Sequence, residues 1–258
     1  MNQPSFVNNT VLFYPSKSPK LRLFALWYFT ILMIVWNVLG HTVLGFEQSW
    51  AAPVVGVGTA LLMQFLLEWV DATAKSRSLR FSGSLADFLN FLPAAIIPGF
   101  ACAMLLYSNE RLWPIVFAAA LTIGSKVLFR APVAPGRTQH IFNPSNFAIV
   151  TALVFGHGLA SVAPGSQWGA DYRVAFVIIG LGMIMMTRLK LLNLALAWMG
   201  GFVLMSLLRM ALGQGGLVFA LGPMTGAEFA LFTFSMLPDP KTCPPTRAGR
   251  VGWGLSIA

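Results

Sequence analysis

Long apolar runs recur from one end of this chain to the other. A run of about 18 or more apolar residues is long enough to cross a bilayer as a helix. We predict eight spans, of which those beginning at Trp113, Ser145 and Val174 are short, and a ninth run that begins near Val251 and stops at Ala258. The eight predicted spans are Leu21–Gly45, Pro53–Val70, Phe88–Tyr107, Trp113–Leu128, Ser145–Leu159, Val174–Thr187, Leu191–Leu212 and Leu217–Leu237.

Composition supports a membrane protein. Charged residues make up 10% of the chain, against about 25% in a soluble domain. The mean hydropathy is +0.72. We therefore predict an all-α integral membrane protein, a polytopic bundle of about eight or nine transmembrane helices. Residues 1–20 are predicted to form a polar cytoplasmic tail, and residues 21–258 a single transmembrane domain.

The basic residues alternate along the predicted spans. Fourteen of the 17 lysines and arginines fall on one side of the bundle, and only Arg111, Arg173 and Arg209 on the other. The positive-inside rule then places the N-terminus in the cytoplasm, and we expect a multi-pass protein of a bacterial inner membrane. This topology accounts for the net charge of +9, so no nucleic-acid partner is expected.

Two polar stretches interrupt the apolar pattern. The first, residues 136–150, has the sequence GRTQHIFNPSNFAIV, and the second, residues 234–250, has the sequence FSMLPDPKTCPPTRAGR. Non-helical backbone near the hydrocarbon is tolerated only where protein covers it or where it lines a cavity. The function is therefore expected at these stretches. A weak echo between them suggests two related halves, about residues 21–130 and 131–258.

The first stretch predicts a helix start. Asn143 is a good N-cap residue, and Pro144 suits the first helical position. Such a helix end attracts anions, which favours an anionic or polar ligand such as a flavin. Residue chemistry alone favours the alternative, a well-capped helix start beside topological charges. The candidate binding residues here are Lys126, Arg137, Asn143, Ser145 and Asn146.

In the second stretch, Pro238 and Pro240 are predicted to end the eighth span. They restrict the backbone of Asp239 between them. Together with Lys241 and Thr242, this carboxylate is a candidate to face a ligand or an ion. A rigid turn in which the two charges neutralise each other explains the residues equally well.

Polar residues inside spans are functional candidates. Glu228 is predicted near the middle of the eighth span, either in an ion path or in a packing hydrogen bond. Glu68 is expected to snorkel or to pair with a basic loop residue. Asn37 and His41 share a helix face, where an interhelical hydrogen bond is favoured over contact with a cofactor. The cysteines and histidines are not at ligand spacing, so no metal site and no catalytic residue is predicted.

The two interruptions together resemble the RnfD/NqrB family, the large membrane subunits of Rnf and sodium-pumping NADH:quinone reductase complexes. Family members carry FNP at a helix start and TDP-x-T-x-x-x-T-P-x-GR after an apolar run. The corresponding sequences here are IFNPSNFAIV and LPDPKTCPPTRAGR, with Pro238 where the family usually has threonine. The resemblance covers residues 125–254. It implies a multi-span fold with internally related halves, distantly similar to urea transporters. It also implies flavin binding and membrane electron transfer coupled to ion movement.

One family feature is missing. The family carries FMN on a threonine in a motif like S/D-G-A-T. The predicted external loop at residues 156–173 has no threonine, and residues 224–227, MTGA, have the wrong order. We therefore expect no covalent FMN, and instead a non-covalent flavin, FMN or riboflavin. Because the ninth run stops at Ala258, a truncated chain or a shortened paralogue is expected.

Three hypotheses follow. The first is an RnfD/NqrB-like subunit of a larger redox complex, at most an electron-transfer subunit, which depends on other membrane subunits for electron carriers. The second is a small-solute or ion transporter of related fold, with Glu228, Asn143 and Asp239 along its path. The third is a structural scaffold in a respiratory or photosynthetic membrane assembly. The missing FMN-threonine motif favours the second and third.

Overall fold

The computed structural model describes residues 19–108, 111–134, 137–156, 158–163, 172–238, 243–244 and 246–258. Packing divides the chain after Gln167. We call Ser18–Gln167 the N-terminal unit and Trp168–Ala258 the C-terminal unit. These two units are compact bodies and differ from the two related halves predicted from the sequence, residues 21–130 and 131–258. That relation stays a prediction.

The N-terminal unit contains six helices and four short strands among its described residues. Helix α1 continues into one π-helical turn, and the strands pair antiparallel, β1 with β4 and β2 with β3. The elements are α1 Pro19–Leu39, the π turn Gly40–Leu44, α2 Ala51–Ala74, α3 Leu85–Phe91, α4 Pro93–Leu105, β1 Leu106–Tyr107, α5 Trp113–Leu128, β2 Arg130–Ala134, β3 Arg137–His140, α6 Pro144–Phe155 and β4 Ser161–Val162.

Small residues hold the helices of this unit together. Helix α2 crosses α4 where Gly56 meets Gly99, and a β-carbon on Gly99 would lie 2.7 Å from the Cα of Val57. Ala118, Ala148 and other buried alanines continue this close packing between α5 and α6. In lipid, helices associate through such close contact because burial of apolar surface gives little preference for protein over lipid.

The regular secondary structure of the C-terminal unit is all helical in its described part. Helix α11 packs along α8, where a β-carbon on Gly254 would lie 2.9 Å from the carbonyl oxygen of Leu194. The short ninth apolar run is therefore part of this helix pair. The elements are α7 Tyr172–Arg188, α8 Leu192–Ala211, α9 Leu217–Leu221, a 3-10 turn Gly222–Thr225, α10 Ala227–Leu231, a π turn Phe232–Met236 and α11 Arg247–Ile257.

Among the described residues, four helices are long and apolar enough to cross a membrane, or five if one bent pair counts as a single span. This confirms a multi-pass helical membrane protein. Helices α5 and α6 are apolar but only 16 and 12 residues long, consistent with the short runs in the sequence. The four are Leu23–Leu44, Ala51–Ala74, Leu85–Leu105 and Leu192–Ala211, and the bent pair is Leu217–Thr225 with Ala227–Met236.

Candidate functional site

The start of α6 has the predicted cap. Asn143 adopts an extended backbone, and its Oδ1 accepts a hydrogen bond of 3.2 Å from the backbone N–H of Asn146. Pro144 is the first helical residue. Pro144 has no N–H and the N–H of Asn146 is already bound, so this helix end offers few free backbone donors to an anion. The geometry therefore favours the capping role of Asn143 over phosphate binding.

A β-hairpin leads into this helix start, and the sequence pattern did not predict it. Strand β2 pairs with β3 so that Arg130 lies opposite His140, with an irregularity beside Pro132. The Arg130 guanidinium donates hydrogen bonds of 2.8 Å to both the hydroxyl and the carbonyl oxygen of Thr138. The pairing satisfies backbone N–H and C=O groups of this polar, non-helical segment.

An aromatic groove lies beside the cap. The rings of Phe142 and Phe147 are nearly parallel, with centroids 5.0 Å apart and an interplanar angle of 14°, and Phe129 contacts Phe147 edge-on at 5.1 Å. The side-chain amide of Asn146 forms no hydrogen bond with the described residues. The open groove, about 350 Å³, therefore places aromatic rings beside an amide that has no partner in the described part of the chain. It is lined by Phe142, Asn143, Asn146, Phe147, Val150 and Thr151.

Lys126 and Ser145 are not among the residues that line this groove. Lys126 donates a 2.7 Å hydrogen bond to the carbonyl oxygen of Ala94, which ties α5 to α4. Ser145 is half-buried in the first turn of α6. Arg137 contributes its backbone to β3. Among the candidates whose side chains the structure describes, Asn143 and Asn146 line the groove.

The second polar stretch lies partly outside the described residues, which do not include Asp239, Lys241 and Thr242. At its beginning, the π turn ends at Met236, close to Pro238, as predicted. Near its end, Thr246 caps α11 by accepting a 3.0 Å hydrogen bond from the N–H of Gly249.

Two hydrogen bonds then fasten α11 to the start of α8. The buried Arg250 donates through its Nε to the Oδ1 of Asn193 at 3.2 Å. Asn193 in turn donates through its Nδ2 to the carbonyl oxygen of Arg247 at 3.3 Å. The described end of the second stretch therefore builds a helix contact.

Glu228 lies just after a break in the predicted eighth span, and its place near the middle of that span stays a prediction, because the two bent segments can count as one span. The helical segments on either side of Gly226 are bent by 60°, with Pro223 in the turn before it. Glu228 is exposed in the first turn of α10, and its carboxylate forms no ion pair or hydrogen bond with the described residues. It lines an open cavity of about 460 Å³ together with Trp198, Pro223, Phe229 and Phe232.

Aromatic rings make up most of that cavity wall. The Trp198 ring centroid lies 5.7 Å from that of Phe229 and 5.1 Å from that of Phe232. The indole is held in place because its Nε1–H donates a buried 3.0 Å hydrogen bond to the hydroxyl of Thr233. Rings beside a carboxylate form an environment that suits a cation.

Glu68 has very different surroundings. Its side chain is 1% exposed. Its oxygens accept two hydrogen bonds from the Arg77 guanidinium, at 2.6 and 3.1 Å. They also accept a 2.9 Å bond from the backbone N–H of Arg80 and a 2.7 Å bond from its Nε. This confirms the expected pairing with basic loop residues. The hydrogen bond to Glu68 raises the pKa of Arg77 above its usual range, so Arg77 stays charged.

Sequence reasoning missed the aromatic residues of both cavities. Trp198 and Phe202 are four residues apart on α8, and their ring centroids lie 5.7 Å apart. Phe229 and Phe232 are three residues apart, which also places them on one helix face. These aromatic pairs at helical spacing, the second of them close to a glycine-proline break, could have indicated the cavity beside Glu228 from the sequence.

Comparison of the chain with protein-family models, with curated proteins and with solved structures found no match. The resemblance to the RnfD/NqrB family therefore stays a prediction that rests on its two sequence motifs.

Proposed function

We propose that this chain is an RnfD/NqrB-like membrane subunit of a larger redox complex and holds a non-covalent flavin in the groove at the start of α6. The observation that carries the proposal is the free amide of Asn146 beside the parallel rings of Phe142 and Phe147. The two motifs of the polar stretches supply the family context.

The groove matches the chemistry of a flavin ring. The isoalloxazine is flat, and one edge carries an N–H between two carbonyl groups. The Oδ1 of Asn146 can accept from that N–H, and its Nδ2 can donate to a neighbouring carbonyl. Aromatic pairing contributes about 0.5–1.5 kcal/mol beyond surface burial. A volume of about 350 Å³ falls within the roughly 300–1,000 Å³ of small-molecule sites.

The capped helix start determines how much the phosphate of FMN contributes to binding. Asn143 and Pro144 leave few backbone donors for a phosphate. Binding then depends on the ring system, which FMN and riboflavin share. We expect the two flavins to bind with similar affinity.

The proposal includes the topology of the family. In this topology the chain has eight or nine spans, and its N-terminus lies in the cytoplasm of a bacterium. Helices α5 and α6 cross the membrane as short spans that neighbouring helices cover. A bound flavin exchanges one or two electrons, while other subunits carry the electron donors and acceptors. Ion movement would be coupled to this transfer.

The test is titration of the detergent-purified chain with riboflavin and with FMN, followed by quenching of flavin fluorescence. Phe147→Leu and Asn146→Leu should each weaken binding about tenfold, the effect of about 1.4 kcal/mol. Phe155→Leu is the matched control, because Phe155 lies exposed at the other end of α6. Absence of quenching, or an equal loss in the control, would contradict the proposal.

A second candidate function is transport of a small cation, which the broken helix of the C-terminal unit favours. Transporter sites are often built at discontinuous helices, and Glu228 faces such a break beside three aromatic rings. Uptake of sodium or a small organic cation by proteoliposomes tests this. Glu228→Gln should abolish uptake, whereas Glu47→Gln, which removes an exposed loop carboxylate, should not.

A further inference from the structure

The end of α1 has an uncommon backbone. Residues Gly40–Leu44 form a π turn, and the N–H groups of Gly45 and Phe46 both donate to the carbonyl oxygen of Gly40. Gly45 takes a left-handed φ of 71°, and a β-carbon on Gly40 would overlap the Phe46 ring. The loop thus folds tightly back over the helix end. Single π turns are rare in proteins, and many of those that occur lie at functional sites.

Asn37, one turn earlier, has an acceptor without a donor. Its side chain is 3% exposed, and its Nδ2 donates a 2.8 Å hydrogen bond to the carbonyl oxygen of Met33. That bond fixes the orientation of the amide, because a carbonyl can only accept. The buried Oδ1 is left with no partner among the described residues.

His41 has a second such acceptor. Its Nδ1 lies 2.8 Å from the backbone carbonyl oxygen of Asn37, so Nδ1 must carry a hydrogen. In the neutral ring, Nε2 then holds a lone pair. This Nε2 is buried and has no partner in the described part of the chain. Residues 37 and 41 are four apart, so the two acceptors belong to one helix face.

The hydrogen bonds of this pair are therefore intrahelical, and the interhelical bond expected from the sequence is not formed by the described residues. Buried polar atoms in native proteins nearly always have hydrogen-bond partners. We therefore expect a donor outside the described residues to bind these two acceptors. The His41 ring lies 4.6 Å from the Trp50 ring and 5.5 Å from the Phe46 ring. Trp50 itself is 53% exposed.

We propose that Asn37 and His41 form a site for a ligand with N–H donors and a positive charge, an ammonium ion or a primary alkylammonium. Its N–H groups donate to the Oδ1 of Asn37 and the Nε2 of His41, and the faces of Trp50 and Phe46 attract its charge. The site lies within the N-terminal unit and does not depend on the proposed flavin groove.

The experiment follows His41 directly. The full chain, labelled with ¹⁵N in its histidines, is titrated with methylammonium chloride in detergent, and the histidine nitrogen resonances are recorded. The chain has three histidines, and His41→Phe assigns the signal of interest. We expect a saturable shift of the His41 Nε2 resonance with methylammonium, and none with sodium or tetramethylammonium at the same ionic strength. Tetramethylammonium has the charge but no N–H donor.

Two outcomes overturn the proposal. An unchanged His41 resonance at saturating methylammonium would mean that only water occupies the site. An equal shift with tetramethylammonium would mean that the acceptors are not involved.

Variants separate binding from folding. Asn37→Leu should lower methylammonium retention in equilibrium dialysis at least tenfold while the thermal midpoint stays unchanged or rises, because the variant removes an unpaired acceptor. Thr42→Val is the matched control, since Thr42 is exposed on the same turn and bonds only back to Val38. Equal retention in Asn37→Leu and Thr42→Val would also overturn the proposal.

Discussion

Glu68 and Glu228 are both carboxylates in apolar helical segments, yet their surroundings differ in nearly every respect. Glu68 is buried, and two arginines from the following loop bind both of its oxygens. Glu228 is exposed beside a helix break, faces an aromatic cavity and has no partner among the described residues. Sequence hydropathy places both in the same class.

The comparison shows that an acid in an apolar helix does not by itself mark function. The oxygens of Glu68 are occupied by guanidinium and backbone donors, so they are not available to a ligand. Its role is to fix the loop after α2, where Ser76 takes a positive φ of 49°. The oxygens of Glu228 have no partner in the described part of the chain, and they face an open cavity, which is what a binding or transport role requires.

The largest effect is expected for Glu68→Gln. The change removes the negative charge between Arg77 and Arg80, and breaking a buried ion pair costs about 3 kcal/mol in the free energy of unfolding. Denaturant unfolding in detergent measures it. A loss below about 1 kcal/mol would contradict a structural role for Glu68.

The two arginine partners should differ. The side chain of Arg77 is 24% exposed and also binds Asp71 at 2.6 Å, whereas that of Arg80 is 67% exposed. We expect Arg77→Ala to cost about 2 kcal/mol and Arg80→Ala about 1 kcal/mol, because exposed ion pairs contribute less. The same unfolding assay ranks them, and the reverse order would mean that Arg80 is the main anchor of Glu68.

Trp198→Phe tests the wall of the cavity that Glu228 faces. The change deletes the Nε1–H that binds Thr233 and leaves that buried hydroxyl without its donor, at a cost of about 1–1.5 kcal/mol. Thr233→Val should largely restore stability in the Trp198→Phe background, because both polar partners are then absent. An additive loss in the double variant would show that this hydrogen bond does not hold the indole.

Asn143→Ala tests whether Asn143 has a structural role, as Glu68 does, or is available to a ligand, as Glu228 is. Loss of the N-cap should cost about 1 kcal/mol, and Asn143→Asp, which keeps a capping oxygen, should cost little. Thermal unfolding of the two variants is the measurement. Equal destabilisation by both changes would contradict a capping role.

The smallest stability effect is expected for Glu228→Gln. An exposed carboxylate without partners should change the unfolding free energy by less than about 0.5 kcal/mol. Its effect should appear in cation uptake by proteoliposomes instead. A loss of stability as large as that of Glu68→Gln would place both acids in the same structural class.

Local patterns in the chain were sufficient for several features. Continuous apolar runs predicted a multi-pass helical protein, and the order Asn143-Pro144 predicted the start of α6. Pro238 predicted the end of the helical segment before it, and Glu68 was expected to pair with a basic loop residue. Each depends on residues within about a dozen positions, where hydropathy, capping and backbone restriction act directly.

Other features required the tertiary structure. The rings of Trp198 and Phe229 meet only because α8 packs beside the broken segment. The unpartnered acceptors of Asn37 and His41 depend on how the loop after α1 folds back. Whether a more distant segment supplies donors to these two buried acceptors is decided by tertiary packing, which the local pattern does not encode. The sequence therefore determined a helical membrane protein, whereas only the packed structure showed which polar groups have partners among the described residues and which do not.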